Sequence, residues 1–207
     1  MYLSRIKLNT KNRHTMLALS NPQKIHGAIE SAFPGERRRN LWRLDELGGE
    51  TYLLVLSEEK PDFTSVVAQF GYPGDTFETR SYTPLLDRIT TGSRWQFRLT
   101  ANPTVNRKRE KEGNRKIMAH VTVAHQEEWL LERAEKHGFQ LLPEEFRVTK
   151  TQNYAFHKRD NNTVMLLSVT YDGILTVTDP EKFRSAMVEG IGRGKAYGNG
   201  LLTVMHI

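Results

Sequence analysis

A chain of 207 residues, 38% hydrophobic and 26% charged, has room for one large domain or two small ones. Its lack of cysteine excludes disulfides, thiolate chemistry and cysteine-based zinc sites. Its seven histidines show no His-Glu-x-x-His or other tight ligand spacing, so neither a metal nor another cofactor is expected.

The N-terminal residues Tyr2 to Leu8 alternate like a strand, with Ser4, Ile6 and Leu8 on one face. They lack the apolar block of a signal peptide. Asn21-Pro22 opens a helix, Asn as N-cap and Pro at the first helical position. Its apolar stripe is Ile25, Ala28, Ile29, Ala32 and Phe33, and Pro34-Gly35 is expected to end it. Strands near Leu41 to Leu44 and Thr51 to Leu56, a short helix near Thr64 to Phe70 and a strand near Phe77 to Tyr82 follow. Residues Pro84 to Gly92 form the expected boundary between a domain at 1–88 and a second at 89–207.

The second half repeats this order. A strand at Arg94 to Thr100 leads through a basic loop to a helix near His125 to His137. Glu127 and Glu128 are expected in that helix's first turn, with Lys136 in its last and Gly138 as its stop. Strands near Phe146 to Phe156 and Val164 to Val177 flank a polar turn, the latter bending at Asp172-Gly173. Pro180 starts a helix to Glu189, and Leu201 to Met205 closes the sheet. The strand–helix–strand–strand–helix–strand order, met twice, predicts an α+β fold of two tandem ferredoxin-like (RRM-like) βαββαβ domains. The longest apolar stretches, Tyr52 to Leu56 and Val164 to Leu167, are too short to span a bilayer. No membrane partner and a cytoplasmic location are therefore expected.

Thirty Lys and Arg against 24 Asp and Glu give a net charge of +6, unevenly placed. Arg37-Arg38-Arg39 follows the first helix. The densest cluster is Arg107-Lys108-Arg109-Glu110-Lys111 with Arg115-Lys116. A third, His157-Lys158-Arg159, sits in the turn that ends Asp160-Asn161-Asn162. One such run alone reads as a solvated face. Together they favour a polyanion, nucleic acid being the commonest.

The C-terminal segment holds Gly190, Gly192, Arg193, Gly194, Lys195, Gly198 and Gly200 between an acid-rich helix and the final strand. Glycine-rich turns with cations suit a phosphate or a phosphodiester backbone. The segment is neither a P-loop, since position 189 is Glu and Ala follows Lys195, nor a dinucleotide fingerprint, since it leads into a strand. Its alternative reading is a flexible linker. His26 lies beside the apolar stripe of its helix, on the face of Gln23 and Glu30. By residue pattern alone such a histidine is as a rule a surface residue. Gly27 costs the helix about 1 kcal/mol relative to Ala, so it marks either a close backbone approach or a neutral surface position.

The C-terminal Gly-Ile-Gly-Arg-Gly-Lys-Ala-Tyr-Gly-Asn-Gly-Leu-Leu run resembles the signature of Cas6-type CRISPR RNA endoribonucleases. Met1-Tyr2-Leu3-Ser4, Lys24-Ile25-His26 with Leu41-Trp42-Arg43, and Phe97-Arg98-Leu99-Thr100-Ala101-Asn102-Pro103 narrow the resemblance to the CasE family, the repeat-processing subunit of type I-E Cascade. The resemblance implies tandem ferredoxin-like domains, CRISPR repeat RNA and other Cascade subunits as partners, and retention of the cut product. It implies cleavage at the 3′ base of the repeat stem by 2′-OH attack without a metal. His26 takes the place of the family's catalytic histidine, as general acid or base. Gln23 stands where members often carry a tyrosine. Its amide donates hydrogen bonds but exchanges no proton at neutral pH, which keeps a non-catalytic RNA-binding subunit as the alternative. A thin ribbon tipped by His157, Lys158 and Arg159 suits a folded RNA whose major groove admits no helix. A phosphometabolite enzyme is the more distant reading, and the extended basic runs disfavour it.

Overall fold

Alternation along each strand decides which face meets which core. The computed structural model describes residues 1–33, 39–108, 115–157 and 163–207, with the backbone alone at 107, 108, 115, 116 and 157. The first half runs β1 (Tyr2–Leu8), α1 (Arg13–Leu19), α2 (Pro22–Ser31), β2 (Leu41–Leu47), β3 (Glu50–Ser57), α3 (Thr64–Phe70) and β4 (Phe77–Ser81). Its strands pair antiparallel in the order β2-β3-β1-β4, the order of a ferredoxin-like unit. Ser4, Ile6 and Leu8 are buried on one face of β1, and the Ser4 hydroxyl is satisfied by Thr79 Oγ1 at 2.8 Å across the ladder.

Two features depart from the expected order. α1 is an additional helix, capped by Asn12, whose Oδ1 accepts from His14 N at 2.8 Å. The expected boundary at Pro84 to Gly92 is structured as well. α4 (Thr83–Asp87) occupies its start, Ile89 is buried, and Arg184 donates to Leu86 O at 2.9 Å and to Ile89 O at 2.6 Å.

The second half continues through β5 (Arg94–Ala101), β6 (Thr104–Lys108), β7 (Arg115–Ala119), α5 (Val123–Ala134), β8 (Phe139–Gln140), β9 (Phe146–His157), β10 (Thr163–Val177), α6 (Pro180–Glu189) and β11 (Leu202–His206). β11, β5 and β10 follow one another in the sheet, β9 pairs with β10, and two-residue β8 pairs with the end of β10. The same ferredoxin-like order results. β6 and β7 form a separate two-stranded ribbon where a loop is expected from the sequence.

α5 starts two residues earlier than expected, capped by Thr122, so Glu127 and Glu128 lie beyond its first turn. Gly138 ends the following 3-10 turn at φ 75°, as expected for a stop in the left-handed region. On β10 the register against β9 shifts between Thr170 and Tyr171. At Gly173 a side chain would collide with Glu145 and Phe146, so glycine there admits the start of β9.

One face of the first sheet packs Ile6, Leu53 and Val55 against Ile25 and Ile29 of α2 and Val66 and Phe70 of α3. Its other face is not left bare. Leu41 and Leu56 join the core of the second half, with Trp95, Phe97 and Leu99 of β5 and Phe183 and Met187 of α6. Buried Arg43 of β2 ties the two sheets. It pairs bidentately with Asp45 (both contacts 2.7 Å) and donates to Arg98 O at 2.8 Å, Leu201 O at 3.0 Å and Thr203 Oγ1 at 2.8 Å. A charge buried this deeply is tolerable because the carboxylate and acceptors around it replace water.

Candidate active site

α2 begins where Asn21 Oδ1 accepts from Gln23 N at 3.1 Å, and Pro22 occupies the first turn. Ile25 and Ile29 anchor its inner face and fix the rotation of the helix. That rotation leaves the His26 side chain 15% exposed, on the half-buried face with Gln23 and Glu30. His26 Nε2 lies 3.3 Å from Glu30 Oε1, one helical turn along. On its other side the imidazole meets the ring of Tyr197 edge-on, centroids 6.2 Å apart and planes at 72°. Tyr197 in turn meets Phe156 at 5.0 Å. Gly27 is exposed, and among the described residues outside its own stretch of helix no atom lies within 4 Å of where a Cβ would sit. Among the described residues, no backbone from another element approaches there.

The glycine segment reaches this place as a packed joint. Its 3-10 turn, Lys195–Tyr197, packs on α2 and on β2, and Trp42 Nε1 donates to Ala196 O at 3.1 Å. A Cβ at Gly198 would stand 2.9 Å from the Trp42 ring, and the backbone there has φ 80°. Both facts require glycine. A flexible linker is thus the wrong description of this segment.

Several of its donors are engaged within the protein. The N–H groups of Gly190, Ile191, Tyr197 and Gly200 donate to Ala186, Gly200, Gly194 and Thr100 carbonyls. Lys195 Nζ donates to Glu189 O at 2.6 Å, closing the C-terminus of α6. Burial, then the nearby Arg39 guanidinium, pulls Lys195 below the ordinary lysine value. Arg193 is exposed, and its backbone bridges Asn102 beside β5.

Sequence reasoning missed Tyr197 as a neighbour of His26. The two lie 171 positions apart, and no local pattern joins them.

A cleft of about 780 Å³ runs between the sheets, with Arg43, Arg98, Lys150 and Tyr197 in its wall. Its cations are largely paired: Arg43 with Asp45, Arg98 with Asp172 at 2.6 Å, and Lys150 with Glu46 at 2.8 Å. Lys150 holds the Glu46 carboxyl below its usual range.

The basic runs map to the ends of ribbons. Arg107 and Lys108 lie opposite Lys116 and Arg115 at the outer end of the β6–β7 ladder, and Arg109 and Lys111 lie outside the described residues. His157 is the last residue of β9, paired with Thr163, and Lys158 and Arg159 lie outside the described residues. So do Pro34, Gly35, Arg37 and Arg38. Among the described residues, no group of three or more His, Asp or Glu side chains is arranged to hold a metal, and no helix is long and apolar enough to cross a membrane.

Residues 1–206 match the family described as CRISPR associated protein. Over 219 aligned positions the chain is 32% identical to the CRISPR-associated endoribonuclease Cse3 of Thermus thermophilus, across 99% of each protein. The chain belongs to the Cse3, or CasE, family. Cse3 bound to a 19-nucleotide RNA has the same fold, with a TM-score of 0.81 at 29% identity, covering 99% of this chain and 100% of that one. A chain of a CRISPR RNA-guided surveillance complex in a pre-nicking state matches at a TM-score of 0.71 and 26% identity, with full coverage of both. The tandem ferredoxin-like architecture expected from the strand order is the architecture of the CasE family.

Proposed function

We propose that this CasE-family chain is the endoribonuclease that binds the CRISPR repeat stem-loop and cuts precursor crRNA at the 3′ base of the stem. The observation that carries the reading is the meeting of α2 and the glycine segment. It holds His26 half-buried, between a carboxylate and an aromatic ring. The full-length likeness to a Cse3 endoribonuclease, and to Cse3 with RNA bound, supports the substrate class.

In the proposed reaction the 2′-oxygen attacks the adjacent phosphorus, an O2′–P bond forms and the P–O5′ bond breaks. The 2′ proton leaves to a base and the 5′-oxygen gains one, giving a 2′,3′-cyclic phosphate and a 5′-OH. His26 serves one of those proton transfers, a contribution of about 10²–10⁴-fold. Arg193 and nearby loop donors face the backbone. Gln23, at the tyrosine position, donates a hydrogen bond to a phosphoryl oxygen without moving a proton. Lys195 closes α6 by donating to Glu189 O and turns its remaining N–H donors to the RNA backbone.

The basic ends of β9–β10 and β6–β7 grip the stem. The product stays bound and joins other Cascade subunits, in keeping with the likeness to a surveillance-complex chain. The working units are residues 1–88 and 89–207, and the site of action is the cytoplasm.

A synthetic repeat stem-loop incubated with the protein in excess EDTA tests this directly. The expected products carry a 2′,3′-cyclic phosphate and a 5′-OH, and a 2′-deoxy sugar before the cut blocks the reaction. Cutting of the deoxy substrate would exclude 2′-OH attack. Tight binding without cutting would select the second reading, a non-catalytic repeat-binding subunit, which Gln23 favours.

A further inference from the structure

We propose that Tyr197 is a positioning residue for His26, acting through its ring. The inference rests on the reading of His26 as the catalytic histidine. Two of the contacts on the imidazole bear on its orientation. Glu30, 3.3 Å from Nε2, pulls along the helix axis, and Tyr197, edge-on at 6.2 Å, stands across it. An i, i+4 contact within one helix is in general a weak constraint that leaves rotational freedom. A ring delivered from another element removes that freedom.

Tyr197 is itself tightly placed. The Trp42 Nε1 bond to Ala196 O pins the preceding residue, and Tyr197 N donates to Gly194 O at 2.8 Å. The Trp42 ring fills the space where a side chain at position 198 would go, so the residue after Tyr197 is packed directly on that ring. On the far side Phe156, 4% exposed, meets the Tyr197 ring at 5.0 Å and 64°. Phe156 directly precedes the end of β9. The rings of Phe156, Tyr197 and His26 thus form a contact chain from the turn end of the β9–β10 hairpin to the helix that bears the histidine. Edge-to-face pairs of this kind prefer one geometry over others. The distance between RNA-binding ribbon and imidazole is set by packed rings rather than by a loop.

One turn before the histidine α2 carries Gln23, which has no ring. The ring beside His26 comes from the C-terminal segment.

The test compares Tyr197→Phe and Tyr197→Leu in single-turnover cleavage of a repeat stem-loop, with affinity, thermal unfolding and the pH–rate profile measured alongside. A misplacement of about 1 Å costs up to roughly 10²-fold in rate. The expected result is a near wild-type rate for Tyr197→Phe and a loss of about 10–100-fold for Tyr197→Leu, with unchanged affinity and an altered pH profile. Equal loss in both variants would assign the role to the hydroxyl and overturn the proposal. So would no loss in Tyr197→Leu, or loss matched by weakened binding. If Tyr197→Leu does not fold, the His26 ring-proton NMR shifts in Tyr197→Phe and wild type decide. They must show the ring-current displacement of a neighbouring aromatic in both proteins, and its absence removes the contact. Cleavage by His26→Ala at the wild-type rate would defeat the underlying reading. A dead His26→Ala with a fully active Tyr197→Leu would defeat the positioning role alone.

Discussion

Around His26, orientation matters more than identity. Glu30 and Tyr197 hold the imidazole from two directions, and Gln23 faces the same side of α2. If an absent tyrosine hydroxyl limits the rate, Gln23→Tyr raises cleavage; an unchanged rate means that other groups already supply its function. Gly27 gives a prediction of a different kind. A methyl there meets no atom of the described residues outside its own stretch of helix within 4 Å, so Gly27→Ala should raise stability by about 0.5–1 kcal/mol, read by urea unfolding. Loss of repeat affinity in that stabilised variant would locate RNA against this turn of the helix. The histidine was legible only through family resemblance, since its position beside an apolar stripe is that of an ordinary surface residue. Tyr197 was not legible at all. Its role depends on a contact across the whole chain, and the glycines around it read as a phosphate cradle. The structure shows them making room for Trp42, Trp129 and Leu41.

Elements with strong local signals were read within a residue or two: α3 at Thr64–Phe70 and α6 at Pro180–Glu189 coincide with their expected spans. α1 was missed because only Thr15 and Ala18 are buried in it, leaving no apolar stripe to detect. The β6–β7 ribbon was missed because Thr-Val-Asn-Arg-Lys lacks the alternation of a half-buried strand. Its register puts Arg107 opposite Lys116 and Lys108 opposite Arg115. Two ribbons therefore compete for the stem. Lys158→Ala with Arg159→Ala should weaken repeat binding and flatten log K against log salt by roughly 0.7–0.9 per lost phosphate contact. An unchanged slope in a salt titration would transfer the clamp to β6–β7.

For the whole molecule, the decisive feature is that one sheet is covered on both faces. Helices α2 and α3 cover one face, and Leu41 and Leu56 carry the other into the second core. Arg43 is the polar fastening of that joint. Arg43→Leu leaves Asp45 buried, with Arg98 3.9 Å away, and takes a donor from the Arg98 and Leu201 carbonyls. We expect a loss of about 3–5 kcal/mol in urea unfolding, partly recovered in Arg43→Leu/Asp45→Leu. Because the same β2 strand carries Trp42 against the glycine segment, loosening it should also disturb His26.

The sharpest test remains at the imidazole: single-turnover cleavage of a repeat stem-loop by His26→Ala and wild type in EDTA, with affinity measured in parallel. Cleavage should fall by at least about 10²-fold with repeat affinity unchanged. Cutting at the wild-type rate by His26→Ala would contradict the assignment of this histidine, and with it the site built around α2 and the glycine segment.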